Sequence, residues 1–123
     1  MPDPTAIVDL HLAAYAEPDR ARREELIAGA WAPDGRLLDP PLTGSGHAGI
    51  ADAADALLSQ FPGHRFRRSS VVDEHHGELR YGWDLITPDG GVALSGLDVG
   101  TLADDGRLAR ITGFFGDLAS VET

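Results

Sequence analysis

An aspartate set in the middle of an apolar strand constrains this chain more than any other feature. Residues 92–118, VALSGLDVGTLADDGRLARITGFFGDL, read as two long antiparallel strands joined at Ala103-Asp104-Asp105-Gly106. Asp-Gly there supplies the positive φ that a tight hairpin turn needs. Period-two alternation puts Leu94, Gly96, Asp98, Gly100 and Leu102 on one face of the first strand, and Ala93, Ser95, Leu97, Val99 and Thr101 on the other. Both faces are largely apolar, so the strand is expected to be covered on both sides. A carboxylate at its centre is costly unless it is paired or protonated. Asp98 therefore has either a structural partner or a task.

The chain before this hairpin opens with helices. Thr5 is placed to cap a helix over residues 6–16, with Ile7, Leu10 or His11, Ala14 and Tyr15 at helical spacing. Pro18-Asp19 ends it and starts a second helix over 20–31, whose Leu26, Ile27 and Ala30 form the inner stripe. Pro33-Asp34-Gly35 reads as a turn, 36–39 as a short strand stopped by Pro40-Pro41, and 43–46 as a loop. A third helix over 47–60 carries Ile50, Ala53, Ala54, Leu57, Leu58 and then Phe61 at period 3.6 before Pro62-Gly63. Strands follow at 65–73 and 78–86 around a Glu74-His75-His76-Gly77 turn, with Leu79, Tyr81, Trp83 and Leu85 on one face of the second. Helices first and long antiparallel strands afterwards imply an α+β fold, three helices packed on one side of a curved, mostly antiparallel sheet.

Length and charge exclude several classes of function. At 123 residues, one domain is expected, with a core and room for one small-molecule cavity. No apolar run approaches a membrane span, and no basic segment leads into an apolar one. Without cysteine there is neither a disulfide framework nor thiol chemistry, which together with the missing leader fits a cytoplasmic protein. A net charge of −10 opposes nucleic acid, whose phosphates it would repel, and disfavours anionic ligands. Arg65, Arg67 and Arg68 read as one solvated strand edge.

Three motifs have bland explanations. Gly44-Ser45-Gly46-His47-Ala48-Gly49 fits the dinucleotide pattern, but that pattern requires a parallel βαβ unit and an antiparallel meander follows it here. The glycines are expected to loosen a loop and open a helix. His75-His76 lacks further ligands at metal spacing, so a solvated turn is expected and no metal. His47 and His64 are isolated, and no serine carries a nucleophile elbow. Tyr15, Asp39 and Asp98 then matter only if the fold brings them to one cavity.

Taken together, the order of elements resembles the cone-shaped, cystatin-like fold of the nuclear transport factor 2-like superfamily, which includes SnoaL-like polyketide cyclases and ketosteroid isomerases. Essentially the whole chain takes part. The motif match is nearest to the ketosteroid isomerases: Tyr15 through Trp31 to Leu38-Asp39-Pro40 aligns without a gap, as does Leu97-Asp98-Val99 with Asp105-Gly106-Arg107-Leu108, and Phe115 falls at an aromatic pocket position. The resemblance implies Asp39 as general base, with Tyr15 and a protonated Asp98 as donors to an oxyanion. It also implies a pocket lined by Trp31, Phe61, Trp83, Leu94 and Phe115, and no cofactor. The supporting tyrosine of the isomerases' third helix falls at or near Ala54, so no phenol network is expected, and Gly96 and Gly100 flank Asp98 where bulkier residues would shape a steroid slot. Gly96 also stands where an epoxide hydrolase of this fold needs arginine.

The expected protein is a cofactor-free proton-transfer enzyme, isomerase or cyclase, acting on a small apolar carbonyl compound. The alternative is a non-catalytic ligand-binding or dimerisation module in which Asp98 hydrogen-bonds Tyr15. A homodimer is expected in either case, because Leu97, Val99, Leu108 and Phe114 would otherwise leave the outer sheet face apolar in water.

Overall fold

The computed structural model describes residues 3–121. Three helices, α1 (Pro4–Ala14), α2 (Arg20–Ala30) and α3 (Gly46–Gln60), pack on the concave side of a curved, open, seven-stranded sheet. Its strands are β1 (Trp31–Leu38), β2 (Thr43–Ser45), β3 (Arg65–Arg68), β4 (Asp73–His75), β5 (Glu78–Ile86), β6 (Val92–Leu102) and β7 (Leu108–Phe115). The spatial order is β2-β1-β7-β6-β5-β3, with β4 also on β5, and only the β1–β7 pairing is parallel. The architecture is the α+β cone expected of the sequence. Among the described residues no helix is long and apolar enough to cross a membrane.

Local chemistry explains most element boundaries. Asp3, rather than Thr5, caps α1: its carboxylate accepts from the Thr5 amide at 3.1 Å, and Pro4 fills the first helical position, where no amide partner is needed. Arg23 is buried under α2 because it donates to the Glu17 and Pro18 carbonyls and pairs with Asp55 of α3, tying the two helices together. Gly46 opens α3 at φ +72°, a conformation side chains rarely adopt. A Cβ on Gly44 would strike the Gly49 carbonyl, so the glycine-rich segment is a close strand-to-helix contact, and β2, which leads into it, pairs antiparallel with β1.

Five further expectations need correction. Pro33-Asp34-Gly35 is no turn: it lies inside β1 as an irregularity, the register on β7 jumping between Trp31 and Arg36. Residues 43–45 pair with β1 instead of looping, and the expected strand over 65–73 breaks after Arg68, where Gly82 takes hydrogen bonds with Ser69 and Ser70. Leu108 is fully buried, not on the outer face, because the β6–β7 register shifts between Thr101 and Leu102 and rotates the start of β7 inward. Finally, β6 is covered on one side only: Ala93, Ser95 and Leu97 stand open, as does Phe114 beside them on β7.

Candidate functional site

The strand β5 places the site's inner wall. Its ELRYGWDLI sequence alternates so that Leu79, Tyr81, Trp83 and Leu85 are buried while Glu78 and Arg80 face water. The register sets Tyr81 beside Asp98 of β6, and Asp98 beside Gly113 of β7. Trp83 lies beside Gly96, whose missing side chain is required: a Cβ there would overlap the Trp83 indole and the Phe114 carbonyl. The indole can therefore lean along the sheet toward Asp98.

Asp98 is 5% exposed and doubly held. The Tyr81 hydroxyl donates to Oδ2 at 2.6 Å and Trp83 Nε1–H donates to Oδ1 at 3.0 Å. Burial nonetheless prevails over these two bonds, and with Asp39 nearby it pushes the Asp98 carboxyl from 3.8 up to about 7. Asp98 thus has a phenol partner, but it is Tyr81 and not Tyr15. No second phenol bonds Tyr15, as the Ala54 position implied; the phenol that supports Asp98 comes from β5 and not from the third helix.

The parallel pairing of β1 on β7 brings in the second acid. Leu38 sits opposite Thr112, so Asp39, the next residue, lies against Gly113. A Cβ on Gly113 would overlap Asp39 Oδ1 and stand 2.9 Å from Asp98 Oδ1; the two carboxylates flank the space that this glycine leaves empty. Asp39's amide donates to the Leu42 carbonyl at 2.8 Å, closing the turn after β1. Its carboxylate has no protein hydrogen bond among the described residues, and burial raises it from 3.8 to about 6.

Tyr15, at the C-terminal end of α1, completes the set. Its hydroxyl is buried without a hydrogen-bond partner, and burial, with Asp39 and Asp98 nearby, holds the phenol well above its ordinary pKa. Its ring joins an edge-to-face series in which Trp31 meets His11, His11 meets Tyr15, Tyr15 meets Phe66, Phe66 meets Trp83 and Trp83 meets Phe115. The cavity between these groups measures about 30 Å³, and His11, Tyr15, Asp39, Trp83, Asp98 and Phe115 are among its walls. Pro41, Leu42 and the 40% exposed Phe115 belong to its more accessible lining.

The structure therefore gathers Tyr15, Asp39, Asp98, Trp83 and Phe115 around one hollow. Trp31, Phe61 and Leu94 do not line it. Trp31 is fully buried behind His11, Phe61 ends α3 against His64, and Leu94 packs on the core further along β6. Sequence reading missed Tyr81, His11 and Phe66. Tyr81 carried a signal, since its face of β5 was read correctly and the hairpin leaves it opposite Asp98. His47 donates from Nε2 to the Trp31 carbonyl at 2.8 Å and His64 bonds the Pro62 carbonyl, so both serve the scaffold. No cluster of metal-ligating side chains occurs among the described residues. A wider groove of about 710 Å³ crosses the outer face at Asp73, Glu78, Arg80, Thr101 and Arg110, but solvated charges line it and neither site carboxylate reaches it.

Among solved structures, the chain is similar to a candidate isomerase of the SnoaL-like family from Agrobacterium tumefaciens. The two are 38% identical, over 91% of this chain and 96% of that one, with a TM-score of 0.85. The chain belongs to the SnoaL-like family. More distant structures share the fold of this SnoaL-like chain. They include a cystatin-like protein of unknown function from Methylobium petroleophilum (17% identity, TM-score 0.73, 98% of this chain and 80% of that one). Another is a candidate polyketide cyclase from Sinorhizobium meliloti (17% identity, TM-score 0.67, 93% and 95%). No protein-family model matches the sequence, and no curated protein does.

Proposed function

We propose that this SnoaL-like protein is a proton-transfer enzyme, an isomerase or cyclase, acting on a small, largely apolar carbonyl compound without a cofactor. The observation that carries this reading is the pair of acids across Gly113 in unlike surroundings. Asp39 has no hydrogen bond to spend its charge on and ionises first; Asp98, deeper and more strongly raised, keeps its proton longer. Two acids whose environments separate their titrations suit base and acid roles at one site. Asp39 takes a proton from the carbon next to the carbonyl. Tyr15 and protonated Asp98 donate to the oxygen on which charge then develops. The proton returned to another carbon gives an isomer; attack by the carbanion on a second carbonyl gives a ring.

The cavity of about 30 Å³ is water-sized, so a substrate enters by displacing Phe115 and Leu42. Small substrates are favoured accordingly. The test is Asp39→Asn with an activated enone: turnover is expected to fall about 100-fold or more, and undiminished turnover sinks the base assignment. Activity should rise as Asp39 ionises through about 6 and fall as Asp98 ionises through about 7, giving a narrow bell.

A non-catalytic binding module is the second reading, supported by how completely Tyr81 and Trp83 already satisfy Asp98. It would take up ligand while the hydrogens next to the carbonyl fail to exchange with solvent deuterium. Either reading includes a homodimer through the outer sheet face. There Leu97 and Phe114 pair across β6 and β7 at 37% and 54% exposure, and light scattering showing a monomer would remove it.

A further inference from the structure

The His11 imidazole is 2% exposed, and the chemistry above gives it no task. Trp31 Nε1–H reaches its Nδ1 at 3.2 Å. An indole nitrogen only donates, so Nδ1 is bare and the proton of the neutral ring sits on Nε2. Burial enforces that neutrality, drawing the His11 pKa down to about 3. Among the described residues Nε2–H meets no protein acceptor, yet the ring forms part of the cavity wall.

Its neighbour on that wall is Tyr15. Positions 11 and 15 fall one above the other on a helix, and the two rings meet edge to face with centroids 5.2 Å apart. The Tyr15 hydroxyl is buried without a partner. One face of α1 thus presents two unengaged donors to the hollow that the acids Asp39 and Asp98 line from the sheet. Neither donor carries charge, and the imidazole can donate here without accepting. That combination fits an oxygen that begins as a carbonyl and gains charge, better than it fits an ammonium or a hydrophobe.

We propose that His11 is a ligand-contacting residue, its Nε2–H acting beside the Tyr15 hydroxyl on the oxygen of the bound compound, and that Trp31 is the positioning residue that fixes its tautomer. This rests on the proposed site for the ligand's class, a carbonyl or enolate oxygen, but not on turnover.

The test uses para-nitrophenol, whose phenolate oxygen stands in for an enolate, and isotope-edited NMR of the His11 ring. The free protein should show the Nε2-protonated tautomer, and the Nε2–H resonance should move on addition of para-nitrophenol. His11→Phe should weaken that binding about tenfold, and His11→Gln, whose amide N–H falls near Nε2, should recover most of the loss. An Nδ1-protonated ring, a resonance unmoved at saturation, a Gln variant as weak as Phe, or no binding of para-nitrophenol by the wild type would each overturn the proposal. Should His11→Phe not fold, the wild-type spectra and the Gln variant decide. The two proposals fail separately. If binding behaves as expected while no proton exchange occurs, the enzyme reading falls and the His11 contact stands; exchange with an unmoved His11 resonance does the reverse.

Discussion

Asp98 and Asp84 occupy neighbouring strands of one sheet and titrate in opposite directions. Asp84, on the outer face of β5, accepts from Arg67 at 2.8 Å and from the Ser95 hydroxyl at 2.7 Å, and these partners hold it below the usual carboxylate range. Asp98, on the inner face of β6, accepts just as many bonds, from Tyr81 and Trp83, and is raised to about 7. Hydrogen-bond number does not separate them. Water and a cation stabilise the outer charge, whereas the inner one loses its hydration and gains only neutral donors. Cover on one face of the sheet and solvent on the other make the same residue type a surface ion outside and a proton-holding acid within.

The sharpest way to break this contrast is to remove the inner charge. A carboxyl raised in the folded state is protonated on both sides of the folding equilibrium below 3.8, so it costs nothing there. From pH 3.8 to about 7 the unfolded chain has released this proton while the folded protein still holds it, so stability falls across that window and levels off once the folded carboxyl ionises. The loss is at most about 4 kcal/mol for such a rise. Asp98→Asn should therefore flatten the fall in stability between pH 4 and 8 in denaturant titrations, about those values, with the Tyr81 hydroxyl reversing to accept from the new amide. A persisting slope would mean that another group, Asp39 first, carries it.

A smaller change should follow from Tyr81→Phe, which removes a donor that lowers Asp98. The Asp98 titration should move upward and carry the falling arm of the activity profile with it, at a stability cost of about 1–3 kcal/mol. NMR titration of the Asp98 carboxyl carbon reads the shift; an unmoved value would show that the 2.6 Å bond does not set the protonation. The least effect belongs to Arg67→Ala. Its pair with Asp84 is solvent-facing, so thermal unfolding should register about 1 kcal/mol or less and still less at high salt. A larger loss would erase the distinction between the two faces.

Much of this was legible in the chain. Period-two alternation fixed the inward face of β5, and the Asp-Gly turn set β6 against β7, so Asp98 could be placed before any coordinates. What escaped was local backbone irregularity: the jump inside β1 and the shift near Leu102 displace registers by amounts that side-chain patterns do not encode, and so Leu108 was assigned to the wrong face. His11 escaped for a different reason. On a helix it sits among Ile7, Val8 and Leu12, and nothing in that stripe announces that Trp31, from another element, occupies one of its nitrogens.

The single parallel pairing has a further consequence. β7 is wedged between β1 and β6, so the strand leading to Asp39 and the strand carrying Asp98 never bond to each other. β7 meets β6 through a short hairpin, but it meets β1 across most of the chain, and closing so long a loop carries a larger entropy cost than closing the hairpin. A helical layer and the β5–β6 hairpin can therefore be in place while the two carboxylates are still far apart and hydrated. Bringing the two carboxylates together, with its electrostatic cost, depends on the β1–β7 pairing and not on either hairpin alone.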